Sequence, residues 1–295
     1  MIMFHSLNYT YSKMLAGQSG GKINYFLKKT NITNIIIMGN SRAYNQIIPD
    51  SLGNDCYNLA HAGMKQTFQT GLLSILESNK KIPNTILLHV EPSEFLIGKE
   101  DKSIQKLKYY YGTDSIVTKY INEISFYERF KFIFSSYRFN GQFLNIVKSL
   151  VKPDSSDETV KHKGWRFISS TSRDSINVFY SIKTYQKQLL YPFDDKLLEH
   201  LFQFIKICKK RNTNLICFTS PQFITSKEEI EIANNFQKIL EKYNIKYFNY
   251  LDHPIPELIE KPMFWKDAMH LNQKGASIES SDIRNKLILL HLLNP

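Results

Sequence analysis

Five short runs with strand character, separated by stretches of helical period, constrain this chain more than any other feature of its sequence. The first, 34–38, carries Ile35 to Met38 without a polar interruption and stops at Gly39. The others are Asp55-Cys-Tyr-Asn-Leu59, Thr85-Ile-Leu-Leu-His-Val90 stopped by Glu91-Pro92, Asn214-Leu-Ile-Cys-Phe218 stopped by Ser220-Pro221, and Lys246-Tyr-Phe-Asn-Tyr250. An apolar run without alternation is how a parallel strand covered on both faces reads. Helical stripes fall between and after the runs: 65–79 with Phe68, Leu72, Leu73, Ile75 and Leu76, and 195–211 with Leu198, Leu201, Phe202, Ile205 and Cys208 behind a cap at Asp194 or Asp195. A third covers 227–243 behind the capping box of Ser226 and Glu229, and a last helix starts after Asn272 and runs through Leu287 to Leu292. Parallel strands need a crossover, commonly a helix, so the alternation predicts an α/β fold with a five-stranded parallel sheet between two helical layers.

At 295 residues, 42% hydrophobic and 22% charged, the chain has ample length for one large core. A single domain spanning 1–295 is expected, with an N-terminal arm at 1–33 and a helical, aromatic insertion at 95–192. The arm offers one short amphipathic turn at 23–29. Helices are expected in the insertion at 115–124, 126–135 and 139–151. From Lys102 to Lys152 nine basic residues face three acidic ones among many aromatics, including Tyr109, Tyr110 and Tyr111. Aromatics at helical spacing read first as core and second as a ligand-facing wall, and no nucleic-acid motif accompanies them, so no nucleic-acid partner is expected. The polar stretch 153–171 reads as a surface loop with Gly164-Trp165-Arg166 as its one distinctive cluster.

The net charge of +11 follows a general richness in Lys, Ile and Asn and reads as a solvated basic surface. Cys56, Cys208 and Cys217 are odd in number, lie in apolar segments and lack metal-ligand spacing, which points to small core residues. The first 22 residues contain no run of 18 apolar residues and no basic-then-apolar leader pattern, so no membrane span is expected. As written the chain is expected in the cytoplasm, or at the cell envelope if a leader or anchor has been removed.

Two segments carry chemistry. Gly39-Asn40-Ser41 places a hydroxyl just past the carboxyl end of a buried strand, where open α/β sheets build their sites. Near the far end stands Trp265-Lys-Asp267-Ala-Met-His270-Leu-Asn-Gln-Lys-Gly275-Ala276. On one tight turn Asp267 and His270 can face the same way, so that the carboxylate accepts from Nδ1 and leaves Nε2 free to take a proton. His253 directly follows Asp252, and adjacent residues in an extended segment point to opposite sides, which makes that pair the poorer dyad. His61, His89, Glu91 and His270 show no metal-ligand spacing, and neither a Gly-x-Gly-x-x-Gly nor a Walker segment appears; neither metal nor cofactor is expected.

Taken together, Gly39-Asn40-Ser41, Asn58-Leu-Ala-His-Ala-Gly63 and Asp267-x-x-His270-Leu-Asn-x-x-Gly275-Ala276 resemble the SGNH (GDSL-like) hydrolase superfamily, in its bacterial glycan esterase and acyltransferase-like branch. The resemblance spans the chain from about residue 33 to the end. It implies a three-layer α/β/α fold with strand order 2-1-3-4-5 and Ser41 at the topological switch point. It implies Ser41 as nucleophile, His270 as base and Asp267 as the group that orients it, with the N–H of Ser41 or its neighbour and the N–H of Gly63 as oxyanion donors. Asn58 either braces the second block or donates its amide. Arg42 replaces the usual apolar residue and either binds an anionic substrate or pairs with Glu91. Where the superfamily carries Gly-x-Asn-Asp this chain has His89-Val-Glu91-Pro-Ser-Glu94, which leaves the third donor unassigned. The expected activity is that of a serine ester hydrolase or O-acyltransferase on a small ester or an O-acylated glycan. The alternative is a catalytically degenerate SGNH fold that serves in glycan binding or assembly.

Overall fold

A computed structural model describes residues 9–15, 17–30, 33–124, 126–133, 135–139, 162–169, 171, 173–185 and 189–294. Strands β1 (Ile35–Met38), β2 (Cys56–Asn58), β3 (Thr85–His89), β4 (Asn214–Thr219) and β5 (Lys246–Asn249) form one sheet in the order β2-β1-β3-β4-β5. Every neighbouring pair is parallel. Because the chain steps to one side of β1 for β2 and to the other for β3, a crevice opens at the carboxyl end of β1.

The period of two along each strand divides the apolar residues between two cores. Ile36, Met38, Ile86, Leu88, Leu215 and Cys217 face one layer, and Ile35, Ile37, Leu87, Ile216 and Phe218 face the other. The second face is covered by α1 (Ser41–Gln46) and by a C-terminal helix; the first is covered by α2 (Gln66–Ser78), α3 (Asp195–Lys210) and α4 (Lys227–Glu241), and the C-terminal helix is α5 (Gln273–Leu289). Burial of each such side chain favours folding by about 1.5–3 kcal/mol, which is why β1 and the middles of β3 and β4 are apolar. The three cysteines are buried and free. Among the described residues no helix is long and apolar enough to cross a membrane.

Several local expectations change. The sequence placed no helix between the first two strands, whereas the crossover is made by α1 and a single turn at Pro49–Leu52. Six residues are too few to display a helical period. The insertion supplies Ile104, Leu107, Val117, Tyr120 and Ile121 to the first core, so these positions are packing residues, whereas Tyr127 and Phe130 are exposed. Gly71 of α2 permits that contact, because a Cβ there would stand 2.5 Å from Ile104 Cδ1. The expected helix at 126–135 is Phe126–Ile133, and that at 139–151 lies outside the described residues except for Phe139. A helix at Asp174–Lys183 was not expected; Ile176, Phe179 and Tyr180 are exposed opposite the buried Val178, so no polar face marks it.

Residues 162–169, expected in a surface loop, are drawn onto the open edge of β2. The Asn58 N–H donates to Lys163 O at 2.9 Å, Gly164 turns at φ +83 where a Cβ would lie 2.1 Å from Asn58 O, and buried Trp165 donates from Nε1 to Asn45 O at 2.9 Å. An edge strand with unpaired N–H groups favours such a cover. The N-terminal stretch is likewise more than a surface arm, since Ile23 and Phe26 belong to the first core.

Candidate active site

β1 ends one residue before Gly39, whose φ is +139 and where a Cβ would stand 2.6 Å from that of His89. Only glycine allows the carboxyl ends of β1 and β3 this close approach. Asn40 then caps α1, its Oδ1 accepting from the Arg42 N–H at 3.0 Å, and Ser41 is the first helical residue. The second block runs beside this turn: Leu59 N–H donates to Ile37 O at 2.7 Å and His61 N–H to Gly39 O at 2.9 Å. Gly63 follows at φ +70. The N–H groups of Ser41 and Gly63 make no hydrogen bond among the described residues.

The far end of the chain folds back onto this corner. An antiparallel bridge between Trp265 and Leu271 closes a tight turn, with Lys266 N–H donating to His270 O at 2.7 Å. Asp267 Oδ1 accepts from the N–H groups of Met269 (2.8 Å) and His270 (2.9 Å), and both carboxylate oxygens lie 3.1 Å from His270 Nδ1. His270 Nε2 is 3.0 Å from Ser41 Oγ across a sequence separation of 229. The hydrogen-bond network assigns the tautomer: Nδ1–H donates to Asp267, and Nε2 accepts the Ser41 hydroxyl. Burial raises the affinity of the Asp267 carboxyl for a proton, but the bond and charge of His270 and the two N–H groups together outweigh it and hold the group below its usual range.

The rest of the C-terminal block builds the turn. Asn272 caps α5, accepting from Lys274 N–H (3.1 Å) and Gly275 N–H (3.2 Å) while its amide donates to Met263 O at 2.8 Å. A Cβ on Gly275 would stand 2.3 Å from Phe264 O. Gln46 of α1 donates to Met269 O at 3.1 Å, and Ser280 of α5 donates to Gln46 O at 3.1 Å, so the two helices clamp the turn between them.

Asn58, Arg42 and Glu91, each open to a structural or a substrate-facing role, make internal contacts. The Asn58 amide donates to Ala43 O (2.8 Å) and Ile47 O (3.0 Å), and its Oδ1 accepts from Ala60 N–H at 3.0 Å. Both donors are consumed, so Asn58 braces α1 against the second block. Arg42 is 1% exposed; Nη1 donates to Glu91 Oε1 at 2.7 Å, and Nη2 donates to Ser220 O and, at 2.8 Å, to Pro221 O. Enclosed in this way, Arg42 and Glu91 tie α1 to the ends of β3 and β4 and offer no charge to a substrate. Nearby, His89 Nε2 accepts from Ser220 N–H at 3.3 Å; burial, with Arg42 and His270 close by, pushes its imidazole well below the ordinary value. Glu279 of α5 is fully buried, and burial lifts it to about 7 against the pull of Ser220 and Arg42. His253 is 81% exposed on its side chain. Among the described residues no group of three His, Cys, Asp or Glu is placed to hold a metal ion.

Two buried side chains outside the motif blocks also hold the corner. Gln69 of α2 bonds both polar groups of Gly39, and Lys22 donates from Nζ to Ala60 O at 2.6 Å with its ammonium 4.2 Å from the centre of the Tyr44 ring. The sequence signal for Gln69 was a polar residue set inside an apolar helical run; Lys22 carried none.

No protein-family model matches the sequence, and no curated protein matches it. Among solved structures, the chain is similar to a protein of Bacteroides fragilis provisionally described as an acylhydrolase, at 10% identity over 90% of each chain with a TM-score of 0.43. It is also similar to a protein of Bacteroides thetaiotaomicron described as a GDSL-like lipase, at 10% identity over 88% of this chain and 89% of that one with a TM-score of 0.40.

Proposed function

We propose that the protein is a serine ester hydrolase or O-acyltransferase of the SGNH type. The observation that carries this reading is the line Ser41 Oγ, His270 Nε2, His270 Nδ1, Asp267. A serine hydroxyl is a weak nucleophile at neutral pH and needs a base at hydrogen-bond distance. Ser41 Oγ attacks the acyl carbon while its proton moves to His270 Nε2, and Asp267 holds the ring and stabilises the imidazolium. The oxyanion is met by the N–H groups of Ser41 and Gly63, each worth ~3 kcal/mol in such sites. His270 then gives the proton to the departing alkoxide, and the acyl-serine passes its acyl group to water or to an acceptor hydroxyl. No metal or cofactor enters these steps. A small ester or an O-acylated glycan fits this chemistry.

A second reading, a glycan-binding relic of the same fold, is favoured by one observation: the segment His89-Val-Glu91-Pro-Ser-Glu94, which stands where the superfamily carries Gly-x-Asn-Asp, has its Glu91 paired to Arg42. Labelling with a fluorophosphonate and mapping the adduct by mass spectrometry separates the two. The expected result is an adduct on Ser41 that Ser41→Ala abolishes without a change in melting temperature. A folded parent that takes no label supports the relic.

A further inference from the structure

The two proposed oxyanion donors sit on separate loops, one after β1 and one after β2, and such a pair works only when its spacing is held to within about 0.5 Å. Part of the spacing is set by the backbone, where His61 N–H donates to Gly39 O at 2.9 Å. Asn58 and Lys22 tie other parts of the same corner, and one further side chain bonds the loop after β1 directly. Gln69 stands in the first turn of α2 and is 2% exposed. Its Oε1 accepts from Gly39 N–H at 3.2 Å and its Nε2 donates to Gly39 O at 3.0 Å, so the carboxamide closes on both polar groups of that residue. Nε2 also reaches Met64 O at 3.4 Å, immediately after Gly63.

Gly39 has no side chain to limit its torsions, and it leads through the capping Asn40 to Ser41, so bonds that hold its polar groups restrict where the Ser41 N–H can lie. We propose that Gln69 is a positioning residue that sets the separation of the Ser41 and Gly63 N–H groups, an inference that rests on the esterase reading above. The site demands a donor and an acceptor at the end of a two-methylene stem. Methionine fills the volume with neither, glutamate lacks the donor when ionised, and asparagine is one methylene short. A residue acting on the donors is felt when charge forms on the acyl oxygen, not when the ester binds.

The test is steady-state kinetics on an aryl acetate, with fluorophosphonate labelling rates, for the parent, Gln69→Met, and Gln69→Ala with and without added acetamide. In Gln69→Met kcat is expected to fall roughly 10- to 100-fold with KM within about twofold, the labelling rate falling in step. Acetamide is expected to restore part of the kcat of Gln69→Ala. Variants that keep the parent kcat, that lose only KM, or that unfold without a selective loss of kcat overturn the inference while an active parent leaves the esterase reading in place. A folded parent that neither turns over nor labels removes both.

Discussion

Ser41 and His270 meet at 3.0 Å, yet the two sides of that contact are built by different means. The nucleophile side is buried and held from afar: Gln69 reaches Gly39 across 30 residues, Glu91 reaches Arg42 across 49, and Pro221 reaches it across 179. The base pair itself is built locally, with one distant tie from Gln46 to Met269 O. Asp267 and His270 are three residues apart, Asn272 caps the helix that follows them, and the two side chains of the pair are 38% and 27% exposed. Removing a buried tie on the first side, such as Arg42, therefore disturbs fold and chemistry together, whereas a substitution on the second separates them.

The largest effect expected from breaking the local side is on rate. Asp267→Asn loses control of the His270 tautomer, and kcat/KM on an acetylated ester is expected to fall roughly 10²- to 10⁴-fold, as in serine triads generally, while the melting temperature barely moves. Because the Asp267 carboxyl is held below its ordinary value, the little stability it lends is present at neutral pH and is lost as pH falls through its folded value. His253→Ala, on a side chain 81% exposed and paired to Asp252, is expected to match the parent. An Asp267→Asn protein as active as its parent removes the local turn from the chemistry.

Arg42→Met is the counterpart on the buried side. It strands Glu91 without its partner and leaves the Ser220 and Pro221 carbonyls short of a donor, and a loss of about 3–5 kcal/mol in denaturant unfolding is expected, with activity falling alongside. Unchanged stability with a raised KM for anionic esters would show that Arg42 faces substrate after all. The smallest effect sharpens the comparison by pH. Glu279 keeps its proton to about 7 in the fold, whereas the unfolded chain releases it near 4.5, so its burial costs stability as pH rises between those values. Glu279→Gln is expected to stabilise the protein by up to about 3 kcal/mol at about pH 8 and to leave it unchanged below the unfolded value, measured as unfolding midpoints at both ends. A pH-independent difference would mean that Glu279 finds a partner in solution.

The strands at 85–90 and 214–218 and the helices behind Asn272 and Ser226 were legible because their causes are local: an apolar run between stops, a cap, a period. The Asp267 and His270 pairing was legible for the same reason. Strand order was not readable from spacing and followed from the resemblance. The helix at Asp174–Lys183 escaped because three of its outward residues are apolar, and α1 because it is six residues long.

What the sequence by itself determined is the strands, the longer helices and the residue types proposed for ester chemistry, since periodicity, caps and a three-residue spacing are properties of neighbours along the chain. What only the tertiary structure decided is the use of the polar residues around them. Asn58 had an amide that suited either brace or donor until Ala43 O and Ile47 O came within reach. Arg42 became an internal tie because Glu91 and the carbonyls after β4 surround it, and Gln69 was one polar residue in a helix until β1 brought Gly39 to its carboxamide. A hydrogen bond depends on a few tenths of an ångström and on direction, and those are set by packing between segments that the order of residues along the chain does not bring together.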